Sequence, residues 1–206
     1  MDKDEVGPSA ISFDSSPFAD GLKWIEPLYK AVINQTPLVF DYHPFNRDSD
    51  IHQVSPYLVK EFNKRWFVLC HTDKKQFLVN FALDRIKHIA EGTHNFVKYP
   101  GKGTPDNFFD DIIGVIQEVD EPIQEIHLLI ENSHLPYLLT KPLHISQSII
   151  ENTSKEDWTE ISLKIKPNYE FYSLILSHGE KIKIKSPEPV KEELLKKINQ
   201  MYRQYQ

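Results

Sequence analysis

The chain has 206 residues with 40% hydrophobic content, enough for one large domain or two small domains with buried cores. Only 7 residues are glycine, and their spacing completes neither the dinucleotide-binding pattern G-x-G-x-x-G nor the P-loop pattern G-x-x-x-x-G-K-[ST]. A standard nucleotide-dependent enzyme is therefore not expected. The formal net charge of −6, from 24 basic and 30 acidic residues, argues against a chain dedicated to binding duplex DNA.

Cysteine content and hydropathy predict a cytoplasmic protein. The one cysteine, Cys70, lies in an apolar run, so a buried and inert thiol is favoured over a nucleophile. Three of the first five residues are acidic, where a signal peptide would be basic and then apolar. No apolar run approaches the length of a membrane-spanning helix, so we expect no membrane partner.

The first half of the chain predicts a helix followed by short strands. Residues 1–20 are rich in Ser, Asp and Pro, which is typical of a tail or linker. Asp20 is a candidate cap for a helix in which apolar residues recur every three or four positions up to Ile33. The apolar period then changes to two, which predicts strands at 38–42, 54–62, 65–71 and 77–81 and a further segment at 84–89. Short strands at this spacing predict a small, strongly bent sheet or barrel.

A linker at 98–117, rich in Gly, Pro and Asp, separates this part from a second unit. The predicted order there is strand, helix, strand, strand, helix, strand, helix, at 125–130, 133–139, 145–152, 159–165, 169–176, 182–185 and 190–202. This order is the split βαβ arrangement of ferredoxin-like domains. The expected fold class is therefore α+β.

Three motifs in the first half occur together in the order and at the spacing of a known family. They are Ser55-Pro56-Tyr57-Leu58, Arg65-Trp66-Phe67-Val68 and Phe81-Ala82-Leu83-Asp84-Arg85-Ile86. With the preceding helix and first strand, they resemble the WYL domain of bacterial transcription regulators. The chain from about Glu118 resembles the C-terminal extension of such domains. This sequence departs from the family at Phe67, where the signature tyrosine is expected, and at Val79, where an arginine is common.

The resemblance implies an Sm-like small β-barrel with a lead-in helix at 21–97, followed by the ferredoxin-like extension at 118–206. Such barrels are proposed to sense nucleotides or single-stranded nucleic acid, so an effector of that class is expected, without a cofactor and without enzymatic activity. Family regulators contact duplex DNA through a helix-turn-helix domain ahead of the sensor. Residues 1–20 are too short to form one, so we expect duplex DNA to be bound only by a domain absent from this chain.

Six residues are candidates for contacting such an effector: Tyr42, Ser55, Tyr57, Arg65, His71 and Arg85. Arg85 could bind a phosphate bidentately, and an ion pair with Asp84 is the structural alternative. Tyr57 could stack on a base or donate a hydrogen bond, and a core or edge aromatic is the alternative. Residues 36–99 hold nine basic and seven acidic side chains, a local net charge of +2 that suits a small anionic ligand.

The alternative function is a protein-interaction or dimerisation module with no small ligand. The last predicted helix has one apolar stripe that covers a sheet or pairs with a second subunit, and a homodimer is expected. Ser177-His178-Gly179 is superficially catalytic, but it falls at a predicted helix end, where Gly179 makes the cap and His178 favours the helix dipole. No catalytic constellation and no metal site are expected.

Overall fold

The computed structural model describes residues 21–118, 121–150 and 157–206, so the predicted tail and the Asp20 cap lie outside the described residues. The chain divides into two compact units between Lys98 and Tyr99. Within the described ranges there are four α-helices and two antiparallel sheets. The predicted α+β class is confirmed.

The first unit is a helix followed by a five-stranded sheet. A single 3-10 turn at Leu22–Trp24 leads into α1 (Ile25–Asn34). The strands are β1 (Leu38–Tyr42), β2 (Asp50–Phe62), β3 (Arg65–Thr72), β4 (Val79–Ala82) and β5 (Ile86–Glu91). Their order across the sheet is β4-β3-β2-β1-β5. Strand β2 begins four residues before the predicted segment, at Asp50, because a polar stretch without an apolar alternation still joins the strand.

This sheet is open, which corrects the expectation of an Sm-like barrel in its closed form. Strands β4 and β5 are the two ends of the sheet, and no backbone pairing joins them within the described ranges. A 3-10 turn of three residues, Leu83–Arg85, connects them. The turn directs β5 to pair along β1, whereas the four residues of β4 pair with β3. The lead-in helix and the five antiparallel strands of the prediction are present.

The core of the first unit lies between α1 and one face of the sheet. Leu28 of α1 packs there with alternate strand residues such as Phe40 and Val68, all of them fully buried. The indole Nε1 of Trp24 donates a hydrogen bond to the carbonyl of Ile86 at 2.9 Å, which ties the start of α1 to β5. Cys70 belongs to the same core, and burial raises the pKa of its thiol well above the ordinary range. The predicted buried thiol is confirmed.

The second unit has the predicted ferredoxin-like order of elements. They are β6 (Gln124–Glu131), α2 (Leu135–Thr140), β7 (Ser148–Ile149), β8 (Trp158–Ile165), α3 (Tyr169–Ser177), β9 (Ile182–Ser186) and α4 (Glu188–Arg203). The strand order is β7-β8-β6-β9, with every pair antiparallel, as a split βαβ unit requires. The predicted strand at 145–152 has only two residues in β7, and its end lies outside the described residues.

All three helices of the second unit pack on one face of its sheet. Leu138 of α2, Phe171 of α3 and Leu194 of α4 share a core with inward residues of the central strands such as Leu128 and Leu163. Because side chains alternate along a strand, the outward residues of the same strands form the opposite face. No helix in the described ranges is both long enough and apolar enough to cross a membrane.

The end of α3 explains the Ser-His-Gly sequence structurally. Gly179 has a φ of +59°, the left-handed conformation that a residue just after a helix commonly adopts, as predicted. His178 lies at the end of the helix, as predicted. Burial lowers the pKa of His178, and its Nδ1 lies 2.9 Å from Nε2 of His134. The ring is therefore held by a neighbouring imidazole, and burial disfavours its charged form.

On the outward face of the sheet, Glu160 is a buried carboxylate whose charge is balanced by two neighbours. Its side chain is 4% exposed, with Lys185 Nζ at 2.6 Å and His127 Nδ1 at 2.9 Å. The hydrogen bond from Lys185 is the main cause that lowers the pKa of Glu160 below its ordinary value of 4.5, and His127 adds to this effect. The ionised form is thus favoured in the folded state.

We expect Glu160→Gln to reduce the free energy of unfolding by about 1 to 2 kcal/mol at about pH 7, because a charge-assisted hydrogen bond is lost. A lowered folded-state pKa contributes stability above the unfolded pKa, and the contribution disappears as the pH falls through the folded value. Urea denaturation of both proteins should therefore show a difference at about pH 7 that is smaller at about pH 3. An equal difference at both pH values would contradict the ionic explanation.

Candidate functional site

Two of the six predicted residues, Tyr42 and Arg85, meet at one end of the first sheet. Tyr42 is the last residue of β1, and the pairing of β1 with β5 shifts register there. Arg85 ends the 3-10 turn before β5, and its carbonyl accepts a hydrogen bond from the amide of His43 at 2.9 Å. The backbone therefore holds both side chains at the junction of β1 and this turn.

The guanidinium of Arg85 has no acidic partner in the described part of the chain. Its central carbon lies 4.1 Å from the centroid of the Phe45 ring, a cation–π contact. Its buried Nε has no hydrogen-bond partner. Asp84, the alternative partner considered for Arg85, lies instead 3.7 Å from Nε of Arg65. The charge of Arg85 therefore remains available to a ligand.

The hydroxyl of Tyr42 is a neutral hydrogen-bonding group beside Arg85. Burial raises the pKa of Tyr42, and the charge of Arg85 acts in the opposite direction. The hydroxyl accepts a long hydrogen bond from the amide of Ala82, at 3.4 Å. The Tyr42 ring packs edge-on against Phe81 at 5.0 Å and His52 at 6.2 Å, so it cannot move freely. The protonated hydroxyl can donate to an anion that also contacts Arg85.

Ser55, Tyr57 and His71 lie on the other face of the sheet. Val54 points into the core, so Ser55 faces away from it, and His71 is the cross-strand neighbour of Ser55. Ser55 Oγ accepts a hydrogen bond from the amide of Val97 at 2.9 Å, and the Tyr57 hydroxyl donates to the Val97 carbonyl at 2.8 Å. Ser55 and Tyr57 are only 1% and 7% exposed. Their polar groups therefore bind the chain's own backbone.

Arg65 lies near Arg85 and not with the residues on the other face of the sheet. It begins β3 with a side chain that is 47% exposed, and its partner Asp84 directly precedes Arg85. Tyr42, Arg65 and Arg85 thus gather around the 3-10 turn, apart from the other three predicted residues. The described ranges contain no group of three or more His, Cys, Asp or Glu side chains placed to hold a metal ion.

Two known domain families match the chain. Residues 23–91 match the WYL domain, and residues 122–202 match the WCX domain. The chain carries a WYL domain followed by a WCX domain. The WYL domain includes all six predicted residues and Phe45, and the WCX domain includes the whole ferredoxin-like sheet. The resemblance inferred from the three sequence motifs is confirmed, and the two domains indicate a regulatory sensor module.

Solved structures resemble this chain at low sequence identity. A CRISPR Cas-related protein aligns with a TM-score of 0.57 and 12% identity, over 91% of this chain and 52% of that chain. Proteasome accessory factor B/C (PafBC) of Arthrobacter aurescens aligns with a TM-score of 0.42 and 14% identity, over 93% of this chain and 28% of that chain. This chain therefore spans about half the length of the first protein and less than a third of the second. No curated protein sequence matches it.

Phe45 is the member of the WYL-domain site that the sequence analysis did not include. It follows Pro44 between β1 and β2, directly before a polar stretch, and it is 69% exposed. The signal that could have identified it is a large aromatic residue beside a polar stretch. Its contact with Arg85 joins positions 40 residues apart, which no local pattern could reveal.

Proposed function

We propose that the WYL domain binds an anionic effector, a nucleotide or single-stranded nucleic acid, at the Arg85 group, which consists of Tyr42, Phe45 and Arg85. The observation that carries this proposal is the buried Nε of Arg85 without an acceptor. An unsatisfied buried donor costs about 1 to 3 kcal/mol, which a phosphate oxygen placed there would recover. The guanidinium also offers the bidentate geometry that suits phosphate.

The other members of the Arg85 group supply what a nucleotide needs besides its phosphate. The Phe45 ring contacts Arg85 and is still 69% exposed, so it can stack on a base. The Tyr42 hydroxyl can donate a second hydrogen bond. Ser55 and Tyr57 would contact the effector only after it replaced their hydrogen bonds to Val97.

The regulatory consequence of binding is part of the same proposal. The module acts without catalysis, and effector binding would bias the arrangement of subunits or of a separate DNA-binding domain in the cytoplasm. Such a shift requires the effector to bind one arrangement more tightly than another. The local charge of +2 over residues 36–99 supports an anionic effector even though the whole chain is acidic.

The test is titration of the full chain with dye-labelled single-stranded oligonucleotides, followed by anisotropy, and with nucleotides by calorimetry. Arg85→Ala is expected to weaken binding about tenfold to a hundredfold, because a charge-assisted bidentate contact contributes about 1.5 to 3 kcal/mol. Arg85→Lys keeps the charge without the planar fork, so its loss should be intermediate. Lys87→Ala is the matched control, since it removes one exposed positive charge two residues away.

Wild-type affinity in Lys87→Ala, together with the loss in Arg85→Ala, would support the assignment. Equal weakening by the two variants would indicate attraction by net charge alone and would contradict a site at Arg85. The absence of binding to every oligonucleotide and nucleotide tested would overturn the proposal itself.

A further inference from the structure

Asp84 and Arg85, neighbours in the 3-10 turn before β5, each bury a polar atom for which the described ranges provide no hydrogen-bond partner. The atom of Asp84 is the carboxylate oxygen Oδ1, which is an acceptor, and the atom of Arg85 is Nε, which is a donor. The two atoms do not pair with each other. A phosphate bound to Arg85 would satisfy the donor only, so the acceptor of Asp84 would still need a hydrogen.

The second oxygen of Asp84 makes one long ion pair. Oδ2 lies 3.7 Å from Nε of Arg65, a distance that allows charge attraction but is too long for a hydrogen bond. The Arg65 side chain is 47% exposed and that of Asp84 is 18% exposed, so the carboxylate reaches the surface beside a side chain that water surrounds. Because a buried carboxylate oxygen without a donor is unfavourable, the turn suits a ligand that carries N–H groups.

The hydroxyl of Tyr42 places the carboxylate and the guanidinium at one site. Burial raises the pKa of Tyr42 most, the charge of Arg85 lowers it, and the charge of Asp84 adds a smaller increase. Both charges therefore lie close to this hydroxyl, since the interaction between charges weakens with distance. A single small molecule at Tyr42 can thus contact both groups.

A phosphate by itself fits only half of this site. Its oxygens accept hydrogen bonds from Arg85, but an ionised phosphate has no donor for Asp84 and is repelled by the carboxylate charge. A nucleobase carries donors on its Watson–Crick edge, and single-stranded nucleic acid leaves that edge open. The base is therefore the part of the effector that Asp84 would recognise.

The bases differ in what they present to a carboxylate. Guanine has two donors side by side, N1–H and the N2 amino group. Adenine and cytosine have an amino group next to a ring nitrogen that is an acceptor, and uracil and thymine have one N–H between two carbonyls. An acceptor that faces a carboxylate is repelled, so guanine is the base that is favoured at both contacts.

We propose that Asp84 gives the effector site a preference for guanine. Its carboxylate accepts hydrogen bonds from N1–H and the N2 amino group, while Arg85 holds the phosphate. The exposed ring of Phe45 stacks on the same base. This inference rests on the proposed binding of an anionic effector at Arg85, and it adds which base the effector carries and which residue selects it.

The first test compares ligands that differ only in the base. The full chain is titrated by calorimetry with the monophosphates of guanosine, inosine, adenosine, cytidine and uridine. Guanosine monophosphate should bind at least about tenfold more tightly than the adenosine, cytidine and uridine compounds, because hydrogen bonds to a charged group are lost in the latter. Inosine monophosphate keeps N1–H but lacks the N2 amino group, so its affinity should be intermediate. Short oligothymidylates with one central guanine or adenine repeat the comparison by anisotropy, without ribose 2′-hydroxyls.

The second test changes the residue that selects the base. Asp84→Asn has one acceptor and one donor on its amide, so the preference for guanine should fall below about threefold. Retained binding of uridine monophosphate shows that this variant is folded. Glu91→Gln is the matched control, since it also removes one negative charge but at the far end of β5, where Glu91 pairs with Leu38 and not with Tyr42. It should keep the wild-type preference.

The outcomes separate the guanine preference from the effector site itself. Equal affinity for all the monophosphates, together with a loss in Arg85→Ala, would overturn the preference and leave the phosphate contact in place. A contact from Asp84 to a ribose hydroxyl would give that result. A preference for another base, or a guanine preference that persists in Asp84→Asn, would overturn the role of Asp84. The absence of binding by every ligand would overturn the effector site and the preference together.

Discussion

Asn168→Ala is expected to lower the free energy of unfolding of the second unit by about 3 kcal/mol or more, because several buried polar groups lose their partners at once. Asn168 is 2% exposed, and its Nδ2 donates to the carbonyls of Ile113 at 2.8 Å and Ile116 at 2.7 Å. Its Oδ1 accepts a hydrogen bond from the amide of Phe171 at 2.8 Å, which caps α3. One side chain thus joins the start of a helix to a distant loop.

Glu170 makes a second link between the start of α3 and the loop at 113–116. Its carboxylate accepts hydrogen bonds from the amides of Val115 at 3.1 Å and Ile116 at 2.8 Å. Gly114, directly before Val115, has a φ of +87°, and a Cβ at that position would come within 2.4 Å of the Glu170 side chain. The loop at 113–116 can therefore follow this path only with glycine at its centre.

Urea denaturation of the full chain, followed by far-ultraviolet circular dichroism, measures the effect of Asn168→Ala. Asn168→Asp separates the cap of α3, made by Oδ1, from the hydrogen bonds that Nδ2 donates to the loop. Aspartate is a good helix cap, but it would bring a carboxylate against two carbonyls, so this variant should be at least as unstable as alanine. Asn199→Ala, at an exposed position of α4, is the control and should stay within about 0.5 kcal/mol of wild type. Full stability in Asn168→Asp would show that the cap alone matters.

Phe40→Ala is expected to destabilise the first unit by about 3 to 5 kcal/mol, the usual cost of emptying a buried aromatic position. Phe40 is fully buried, and its ring meets Phe81 edge-on at 4.9 Å. It also lies 6.5 Å from Tyr42 and 6.1 Å from His52. Its loss would therefore remove the aromatic packing that holds Tyr42 beside Arg85.

Denaturation measures the contribution of Phe40 to packing, and effector titration measures the contribution of Phe45 to binding. Phe40→Leu should retain a folded first unit with an intermediate loss of stability. Phe45→Ala is the matched control, since Phe45 is exposed, and its stability should stay within about 0.5 kcal/mol of wild type. We expect Phe45→Ala to weaken effector binding nonetheless. Unchanged binding in Phe45→Ala would contradict the stacking role, and a small loss of stability in Phe40→Ala would contradict its place in the core.

Elements with a clear apolar period were predicted closely. Strand β1 has the predicted bounds, and α3 and β9 each extend one residue beyond theirs. Alternation or helical spacing is a local property, so a sequence displays it directly. Strand β2 differs because Asp50 and its neighbours are polar, and their strand conformation comes from pairing with β1. The open edge between β4 and β5 likewise depends on which strand β5 pairs with.

The candidate site was predicted less completely, because several of its side chains have partners that are distant along the chain. Residue type and motif pointed to Tyr42 and Arg85, and the structure brings them together. Ser55 and Tyr57 belong to another of the three motifs, yet their hydrogen bonds go to the backbone of Val97, about 40 residues away. Every residue has a backbone carbonyl, so the sequence does not show which backbone group a side chain will bind.

The sequence by itself determined the α+β class, the order of elements in both units, the WYL resemblance and the apolar stripe of α4. These features depend on periodicity, composition and motif, which are encoded over a few neighbouring residues. Only the tertiary structure decided that Arg85 contacts Phe45 rather than Asp84, and that Val97 occupies the polar groups of Ser55 and Tyr57. Those pairings arise between segments distant along the chain, because the partner of a side chain is selected by how whole strands and turns pack.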